Sequence, residues 1–130
     1  MVLVDTSVWV SHLRGGEETA LVKLLDDGAV FCHPFIIGEL ACGNLKNRTT
    51  VIPLLEALTA SRVAEHREIL LFIENHGLQG KGLGYIDMHL LASAILTGVP
   101  LWTLEKQLKS CADQLQCSYK TKSEWFSSFA

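Results

Sequence analysis

The sequence predicts an α/β domain with a short, mostly parallel central sheet. Two observations support this prediction. Short apolar runs alternate with longer segments whose apolar residues recur at helical spacing. The 130 residues also fit one domain, with no internal repeat, low-complexity tract or linker, so we expect a single unit over residues 1–130.

In the first half of the chain, a buried strand at 2–4 precedes a helix over about 6–13, which Thr6 or Ser7 can cap. A second helix over about 17–27 carries apolar residues at 20, 21, 24 and 25 and ends at Gly28. A short strand at 29–31 leads to a helix over about 34–45, because Pro34 suits a first helical turn.

In the second half, helices over about 50–57 and 65–76 are expected to form an antiparallel pair. A glycine-rich loop at 77–84 opens into a strongly apolar helix over about 85–96, which Gly98 ends. A buried strand at 100–102 and a helix over about 105–115 follow. Residues 118–119 are predicted to add a short edge strand before a last segment at Trp125 and Phe126.

Composition limits the class of protein. With 48% hydrophobic and 19% charged residues, the chain is not a disordered tail. No apolar stretch approaches the ~18 residues of a membrane span, and the N-terminus lacks the pattern of a secretory signal, so we expect a cytoplasmic protein with no membrane partner. The net charge of −3 neither excludes nor indicates a nucleic-acid ligand.

Four acidic residues stand where apolar elements begin or end, namely Asp5, Glu39, Asp87 and Glu105. An ionised carboxylate in apolar surroundings loses hydration, which is costly unless something compensates. No Lys or Arg lies at helix spacing beside the first three, so local ion pairs do not explain them. A shared divalent cation would compensate all four.

The position of these acids indicates a chemistry. Sites in parallel α/β sheets collect at the carboxyl ends of strands, and Asp5 and Glu105 both follow a predicted strand. Mg²⁺ and Mn²⁺ prefer carboxylate oxygen. Such an ion can activate water and neutralise charge on a phosphate, which are the functions that a hydrolytic nuclease needs.

Four motifs in order resemble the PIN domain, and more narrowly the VapC-type toxins of toxin–antitoxin pairs. They are Val4-Asp5-Thr6-Ser7, Ile37-Gly38-Glu39-Leu40, Tyr85-Ile86-Asp87 and Leu101-Trp102-Thr103-x-Glu105. The resemblance spans nearly the whole chain. It implies a three-layer α/β/α fold, Mg²⁺- or Mn²⁺-dependent endoribonuclease activity on RNA, a homodimer and inhibition by a cognate antitoxin.

The same resemblance assigns roles to individual residues. Asp5 and Asp87 are implied to be the primary metal ligands, and Glu39 a third acid that binds metal directly or through water. The fourth position is usually Asp in this family but is Glu105 here, and the extra methylene is expected to weaken or displace a second metal site. Thr6 or Thr103 is expected to orient a metal-bound water.

Simpler interpretations stay open for each acid. Asp5 alone can be a helix cap, and Asp87 or Glu105 can be an acid in a first helical turn. Glu39 can face solvent. Two other functions are also open: a haloacid-dehalogenase-like phosphatase, which would need a second Asp where Ser7 stands, and a PIN-like module that binds RNA or antitoxin without cutting.

Other polar residues are interpreted as structural or solvated. The five histidines share no metal-ligand spacing, and the cysteines show no Cys-x-x-Cys pair. Arg14 is expected at a solvated helix end, with a place beside His12 near the mouth of the cleft as the alternative. The basic cluster Lys46-Asn47-Arg48 is expected on a solvated face, with phosphate contact as the alternative.

Overall fold

The computed structural model describes residues 1–16 and 19–127. Within these ranges the strands are β1 (Val2–Val4), β2 (Val30–Cys32), β3 (Thr59–Ala60) and β4 (Leu101–Trp102). All pair in parallel, in the order β3-β2-β1-β4. Ser118 forms a single parallel bridge with Leu101 of β4, so the predicted edge strand at 118–119 is reduced to one bridge residue.

The described helices are, in chain order, α1 (Thr6–Leu13), α2 (Thr19–Asp26), α3 (Pro34–Cys42), α4 (Arg48–Glu56), α5 (His66–His76), α6 (Tyr85–Thr97), α7 (Lys106–Gln114) and α8 (Lys122–Ser127). None of them is both long enough and apolar enough to cross a membrane.

The strand order divides the helices between two faces. The chain moves from β1 to β2 and β3 in one direction, then returns past β1 to β4. Because parallel crossovers are almost always right-handed, connections in opposite directions lie on opposite faces of the sheet. Contacts of α3 with α1 and α4, and of α5 with α6, agree with this division. The fold is therefore the predicted three-layer α/β/α arrangement.

The core lies around β1 and the middle of α6. All three residues of β1 are fully buried, as expected for a central parallel strand that helices cover on both faces. Every residue of α6 from Met88 to Ala94 is buried. This all-round burial includes His89 and Ser93, so the helix holds polar side chains inside the core. The core therefore holds both elements, and with them the residues at their ends.

Several predicted elements need correction. The third helix ends at Cys42, because Gly43 follows in an extended conformation (ψ 177°). The expected pairing of the helices over 50–57 and 65–76 is wrong, since β3 separates them and their main contacts are α4 with α3 and α5 with α6. The second strand lies one residue later than predicted. The predicted start of the second helix at residue 17 falls outside the described residues.

Candidate active site

The carboxyl ends of β1 and β4 meet at the point where the strand order reverses. The backbone N–H of Asp5 donates to the carbonyl of Trp102 at 2.9 Å, which sets Asp5 beside Thr103. Both side chains are buried. In α/β sheets, the crevice at such a switch point is the usual place for a ligand. The topology therefore puts the first candidate acid in the expected position.

Hydroxyl groups hold the Asp5 carboxylate in one orientation. Ser7 Oγ donates to Asp5 Oδ2 at 2.7 Å, and Thr103 Oγ1 donates to the same oxygen at 2.8 Å. The Ser7 N–H lies 3.4 Å from Oδ2, so Asp5 is also the N-cap of α1, in place of the predicted Thr6 or Ser7. Oδ1 accepts no hydrogen bond from the described residues. It is the oxygen available to a ligand.

Ser7 joins α1 to the segment after β4, a role that the sequence did not reveal. Its Oγ accepts a hydrogen bond from the Leu104 N–H at 2.9 Å while donating to Asp5. Thr103 Oγ1 in turn accepts from the Glu105 N–H at 3.0 Å. The signal was the hydroxyl two residues after an acid at a strand–helix junction, which a capping interpretation also explains.

Asp87 lies in the first turn of α6, and the charge of Asp5 affects its ionisation. Its Oδ2 accepts a hydrogen bond from the Gly84 N–H at 3.0 Å, so the helix-start interpretation is correct for this residue too. The pKa of Asp87 is raised, mainly by partial burial. The Gly84 hydrogen bond opposes this shift, and repulsion from Asp5 adds to it. The charge of Asp5, the other acid predicted as a primary ligand, thus adds to the effect of burial on Asp87, although no hydrogen bond joins the two side chains among the described residues.

Glu39 reaches the site from α3 but is exposed. Thr6 Oγ1 donates to Glu39 Oε1 at 2.8 Å and links α1 to α3. The expectation of an apolar environment for Glu39 is wrong, because α3 turns this residue outward while Ile36 and Leu40 face the core. The Thr6 hydroxyl proton is donated to this carboxylate, and the role of Thr6 in orienting a metal-bound water stays a prediction.

Glu105 is the N-cap residue of α7 and is likewise exposed, so the expectation of apolar surroundings is wrong here as well. Partial desolvation raises the pKa of Glu105, and repulsion from Asp5, Asp87 and Glu39 raises it further. Its backbone is fixed through Thr103 while its side chain is unconfined by any described hydrogen bond. All four predicted acids therefore belong to one electrostatic neighbourhood.

Cations do not neutralise this neighbourhood within the described part of the chain. The ion pair found among those residues joins Lys109 to Glu124 and involves none of the four acids. This agrees with the sequence-based expectation that local Lys or Arg partners are missing. Convergent carboxylates without countercharge raise one another's pKa values and favour an added cation.

The donor set fits a hard divalent cation. Among residues 1–16 and 19–127, no three His, Cys, Asp or Glu side chains already stand close enough to hold one ion together. Mg²⁺ does not require that, because it keeps several waters and is commonly bound through one or two carboxylates. Asp5, with Oδ1 available, and Asp87 are the two carboxylates of the site that could bind such an ion.

Two histidines beside the site have structural roles. His33 follows β2, is fully buried, and accepts a hydrogen bond from the Phe35 N–H at its Nδ1, 3.0 Å away, which caps α3. Burial, together with repulsion from His89, lowers the pKa of His33 to about 4. The ring of His33 packs near that of His89, with centroids 6.0 Å apart. The structural interpretation of these histidines agrees with this packing.

Comparisons with known proteins point to one family. The family profile described as PIN domain matches residues 2–113. Two curated relatives with the name Ribonuclease VapC32, from the CDC 1551 / Oshkosh and ATCC 25618 / H37Rv strains of Mycobacterium tuberculosis, are each 46% identical over 115 residues. The match covers 87% of this chain and 92% of each relative.

A solved structure resembles the fold at low sequence identity. It is the crystal structure of PAE2754 from Pyrobaculum aerophilum, which superposes with a TM-score of 0.55 and is 13% identical. The superposition covers 84% of this chain and 77% of that chain. At this identity the likeness concerns the fold alone.

Proposed function

The chain belongs to the PIN domain family, among its VapC-type members, and we propose that it is a metal-dependent endoribonuclease that hydrolyses RNA phosphodiester bonds. The observation that carries the proposal is the position of Asp5 at the switch point of the sheet, where Thr103 bonds both its carboxylate and the Glu105 backbone. Thr6, the next residue, bonds Glu39, and no Lys or Arg of the described chain pairs with these acids. The name of the two relatives, ribonuclease, supports the same reaction class.

Mg²⁺ or Mn²⁺ is the cofactor that this donor set suits. Asp5 Oδ1 and the Asp87 carboxylate would hold the ion, and Glu39 would act as a third acid, directly or through water. When bound, the ion supplies Lewis-acid stabilisation of the charge that develops on the attacked phosphate. The proposal needs no other cofactor.

The chain's own residues orient the groups that react. Ser7 and Thr103 fix Asp5 Oδ2, which keeps Oδ1 directed to its ligand. Glu39 and Glu105 are the exposed carboxylates of the site, and either Oε can accept the proton that the attacking water loses. The additional methylene of Glu105 lets its carboxylate extend farther from Thr103 than an aspartate would.

We further propose that the protein is the toxin of a type II toxin–antitoxin pair, acts in the cytoplasm as a homodimer, and is inhibited by a cognate antitoxin. The likeness to VapC proteins supports this proposal. Size-exclusion chromatography with light scattering tests the dimer. Co-expression with the product of a small adjacent reading frame tests the antitoxin, and relief of growth inhibition is the expected result.

The phosphatase alternative loses its support with the family assignment. That chemistry needs an acid two residues after Asp5, and the residue there, Ser7, donates its hydrogen bond to Asp5 instead. The non-catalytic alternative rests on the single departure at Glu105. Cleavage assays separate it from the nuclease, since a binding module retains RNA without cutting it in Mg²⁺ or Mn²⁺.

A direct experiment tests the proposed reaction. The purified protein is incubated with structured and unstructured RNAs in Mg²⁺, Mn²⁺ or EDTA, and the new ends are sequenced. We expect cleavage in either metal and none in EDTA. We also expect none with Asp5→Asn or Asp87→Asn, while thermal unfolding of both variants stays as cooperative as that of the wild type. Intact RNA across the panel in both metals would contradict the proposal.

A further inference from the structure

We propose that Glu124 is a positioning residue for the candidate active site, because it binds the Lys109 ammonium and keeps this cation from neutralising Glu105. The inference rests on the proposed function and deepens it, since it names the contact that leaves the fourth carboxylate available to a metal ion. Glu124 lies on α8, and its described side-chain hydrogen bonds go to Lys109 and Thr121.

The start of α7 places Lys109 within reach of Glu105. Glu105 is the N-cap residue of α7, and the Lys109 N–H one turn later donates to the Glu105 carbonyl at 2.9 Å. Helical side chains tilt towards the N-terminus of their helix, so a lysine at position 109 can extend over the turn that Glu105 begins. Lys106 is not an equivalent partner, because adjacent residues of a helix do not face each other. The local sequence therefore favours an ion pair between Glu105 and Lys109.

The structure contains a different ion pair. Lys109 Nζ donates to Glu124 Oε2, and this is the ion pair found among the described residues. Partial desolvation and repulsion from the other three acids raise the pKa of Glu105, and no described Lys or Arg opposes these effects. The charge of Lys109 is therefore paired with α8 and does not compensate the acids of the site.

Glu124 is itself held by the residue that precedes α8. Thr121 Oγ1 donates to Glu124 Oε1 at 3.1 Å, and the Glu124 N–H donates to Thr121 Oγ1 at 3.5 Å. The two oxygens of the carboxylate thus have different partners, Thr121 for Oε1 and Lys109 for Oε2. The hydrogen bond from Lys109 lowers the pKa of Glu124, which keeps this carboxylate ionised at neutral pH. The orientation of Glu124 towards Lys109 is therefore fixed by the start of α8.

Lys109 has two acidic neighbours at helix spacing that could replace Glu124. Glu105 lies four residues before it, and Asp113, which is exposed, lies four residues after it. A Glu that precedes Lys by four residues pairs more strongly than an acid in the reverse order. Glu105 also lies among three further acids, which attract a cation to that end of α7. Release of Lys109 should therefore bring its charge to Glu105, where it competes with a bound metal ion.

Calorimetric titration of Mn²⁺ at low salt tests this inference. Glu124→Gln keeps the size of the side chain but removes the charge that binds Lys109. The Kd for Mn²⁺ should therefore rise by about two- to fivefold, the range that one exposed ion pair supplies. The double variant Lys109→Gln/Glu124→Gln lacks the released cation and should return the Kd to the wild-type value or below it. High salt should reduce the difference between Glu124→Gln and the wild type.

The double variant separates this mechanism from two simpler ones. If Glu124 favoured metal only through its own negative charge, Glu124→Gln would weaken binding equally in the Lys109→Gln background. If the pair only fastened α8, Glu124→Gln would lower the melting temperature of the metal-free protein and leave the Kd for Mn²⁺ unchanged. Either result would overturn the proposal.

Glu74→Gln is the matched control for Glu124→Gln. It removes one carboxylate from an exposed position on α5, and Glu74 forms no ion pair with a described residue. Its Kd for Mn²⁺ should stay close to that of the wild type. Equal increases of Kd in Glu74→Gln and Glu124→Gln would overturn the proposal, because they would indicate an effect of net charge.

Urea unfolding provides a second measurement that needs no metal. The variants Glu105→Gln, Lys109→Gln and their combination give the coupling between the two side chains. Their effects on the unfolding midpoint should add in the wild-type background, because Lys109 is paired with Glu124. In the Glu124→Gln background they should not add, because the released Lys109 pairs with Glu105. Additive effects in both backgrounds would overturn the proposal.

Failure of this inference is distinguishable from failure of the proposed function. If the wild type binds Mn²⁺ and cleaves RNA, and Glu124→Gln binds Mn²⁺ equally well, the positioning role is wrong and the nuclease stands. If the wild type takes up no Mn²⁺, the metal-dependent function is contradicted. The urea measurement then decides by itself whether Glu124 keeps Lys109 from Glu105.

Discussion

The candidate site has two parts that differ in burial and restraint. The floor, made of Asp5, Ser7 and Thr103, is buried or half-buried and is joined by hydrogen bonds of 2.7–2.8 Å to one carboxylate oxygen. The rim, made of Glu39 and Glu105, is exposed. One rim carboxylate accepts a single bond from Thr6, and the other has none among the described residues.

This difference predicts different tolerances. In the floor, low local dielectric strengthens each hydrogen bond and makes an unmade one costly, so the geometry of Asp5 is fixed before any ligand arrives. In the rim, solvent screens the charges and the side chains can adjust. The floor should therefore define the metal position, whereas the rim should modulate the reaction.

The largest contrast is expected between Asp5→Asn and Glu39→Gln. The first removes a floor ligand and should lower kcat/KM for RNA by about 10²-fold or more, beyond the ~10–100-fold typical of groups that only orient a ligand. The second should cost about tenfold or less, because a water can replace an exposed carboxylate. Cleavage kinetics in Mn²⁺ measure both. Equal losses would remove the distinction between floor and rim.

Ser7→Ala tests whether the floor is held by its hydroxyl groups. Loss of the Ser7 hydroxyl removes one of the two hydroxyl hydrogen bonds to Asp5 Oδ2 and leaves the Leu104 N–H without its partner, so activity should fall by ~10–100-fold. Stability should fall by about 1 kcal/mol in a urea titration. Thr6→Val, which removes the exposed rim contact, should have a smaller effect on both. Full activity in Ser7→Ala would show that Asp5 needs no orientation by the Ser7 hydroxyl.

Substitutions of Glu105 should have moderate effects. Glu105→Gln removes the charge and should reduce kcat by up to about tenfold, the lower end of what one orienting group supplies. Glu105→Asp keeps the charge and restores the residue usual in the family, so its kcat should match or exceed that of the wild type. The dependence of the cleavage rate on Mn²⁺ concentration measures whether the shorter side chain strengthens the binding of a second ion. A larger loss of kcat in Glu105→Asp than in Glu105→Gln would contradict the view that Glu105 takes the place of the usual aspartate.

The smallest expected effect concerns stability and pH. The pKa values of Asp87 and Glu105 are raised in the folded protein, so the folded state binds protons more tightly than the unfolded chain. Their contribution is favourable at low pH and is lost as pH rises through the raised pKa values. Asp87→Asn should therefore reduce the decline in melting temperature of metal-free protein between pH 4 and about 7, the interval just above ordinary carboxyl pKa values.

Asp26→Asn is the control for this measurement, because Asp26 is an exposed acid on α2. It should leave the pH profile unchanged. The burial of His33, whose pKa is lowered to about 4, acts in the opposite direction, and comparison with the wild type cancels it. An identical profile for Asp87→Asn would contradict a raised pKa of Asp87 in the free protein.

The main features of the fold and the acids of the site were readable from local patterns. The all-apolar run at 2–4 predicted β1 because a central strand must be apolar on both faces, and Asp5 followed from its end. In contrast, β3 consists of Thr59 and Ala60, both exposed, and has no such signal. Its pairing with β2 arises from tertiary packing that a local pattern does not contain.

Side-chain environment was harder to predict than position. Glu39 was expected among apolar residues because α3 is apolar along most of its length, yet only Ile36 and Leu40 of α3 are buried. When most residues of a helix are apolar, the periodicity no longer identifies the buried face. The role of Ser7 was missed because its partners are distant in the sequence. Leu104 and Thr103, which contact Ser7 Oγ, follow it by 97 and 96 residues.

Metal uptake by the free protein tests the central claim most directly, because it separates the site from its substrate. Mn²⁺ is titrated calorimetrically into metal-free wild type, Asp5→Asn, Asp87→Asn and Glu39→Gln. We predict saturable binding to the wild type, loss of binding in both Asp variants, and retained but weaker binding in Glu39→Gln. No Mn²⁺ uptake by the wild type, or unchanged uptake by Asp87→Asn, would contradict a metal centre formed by Asp5 and Asp87.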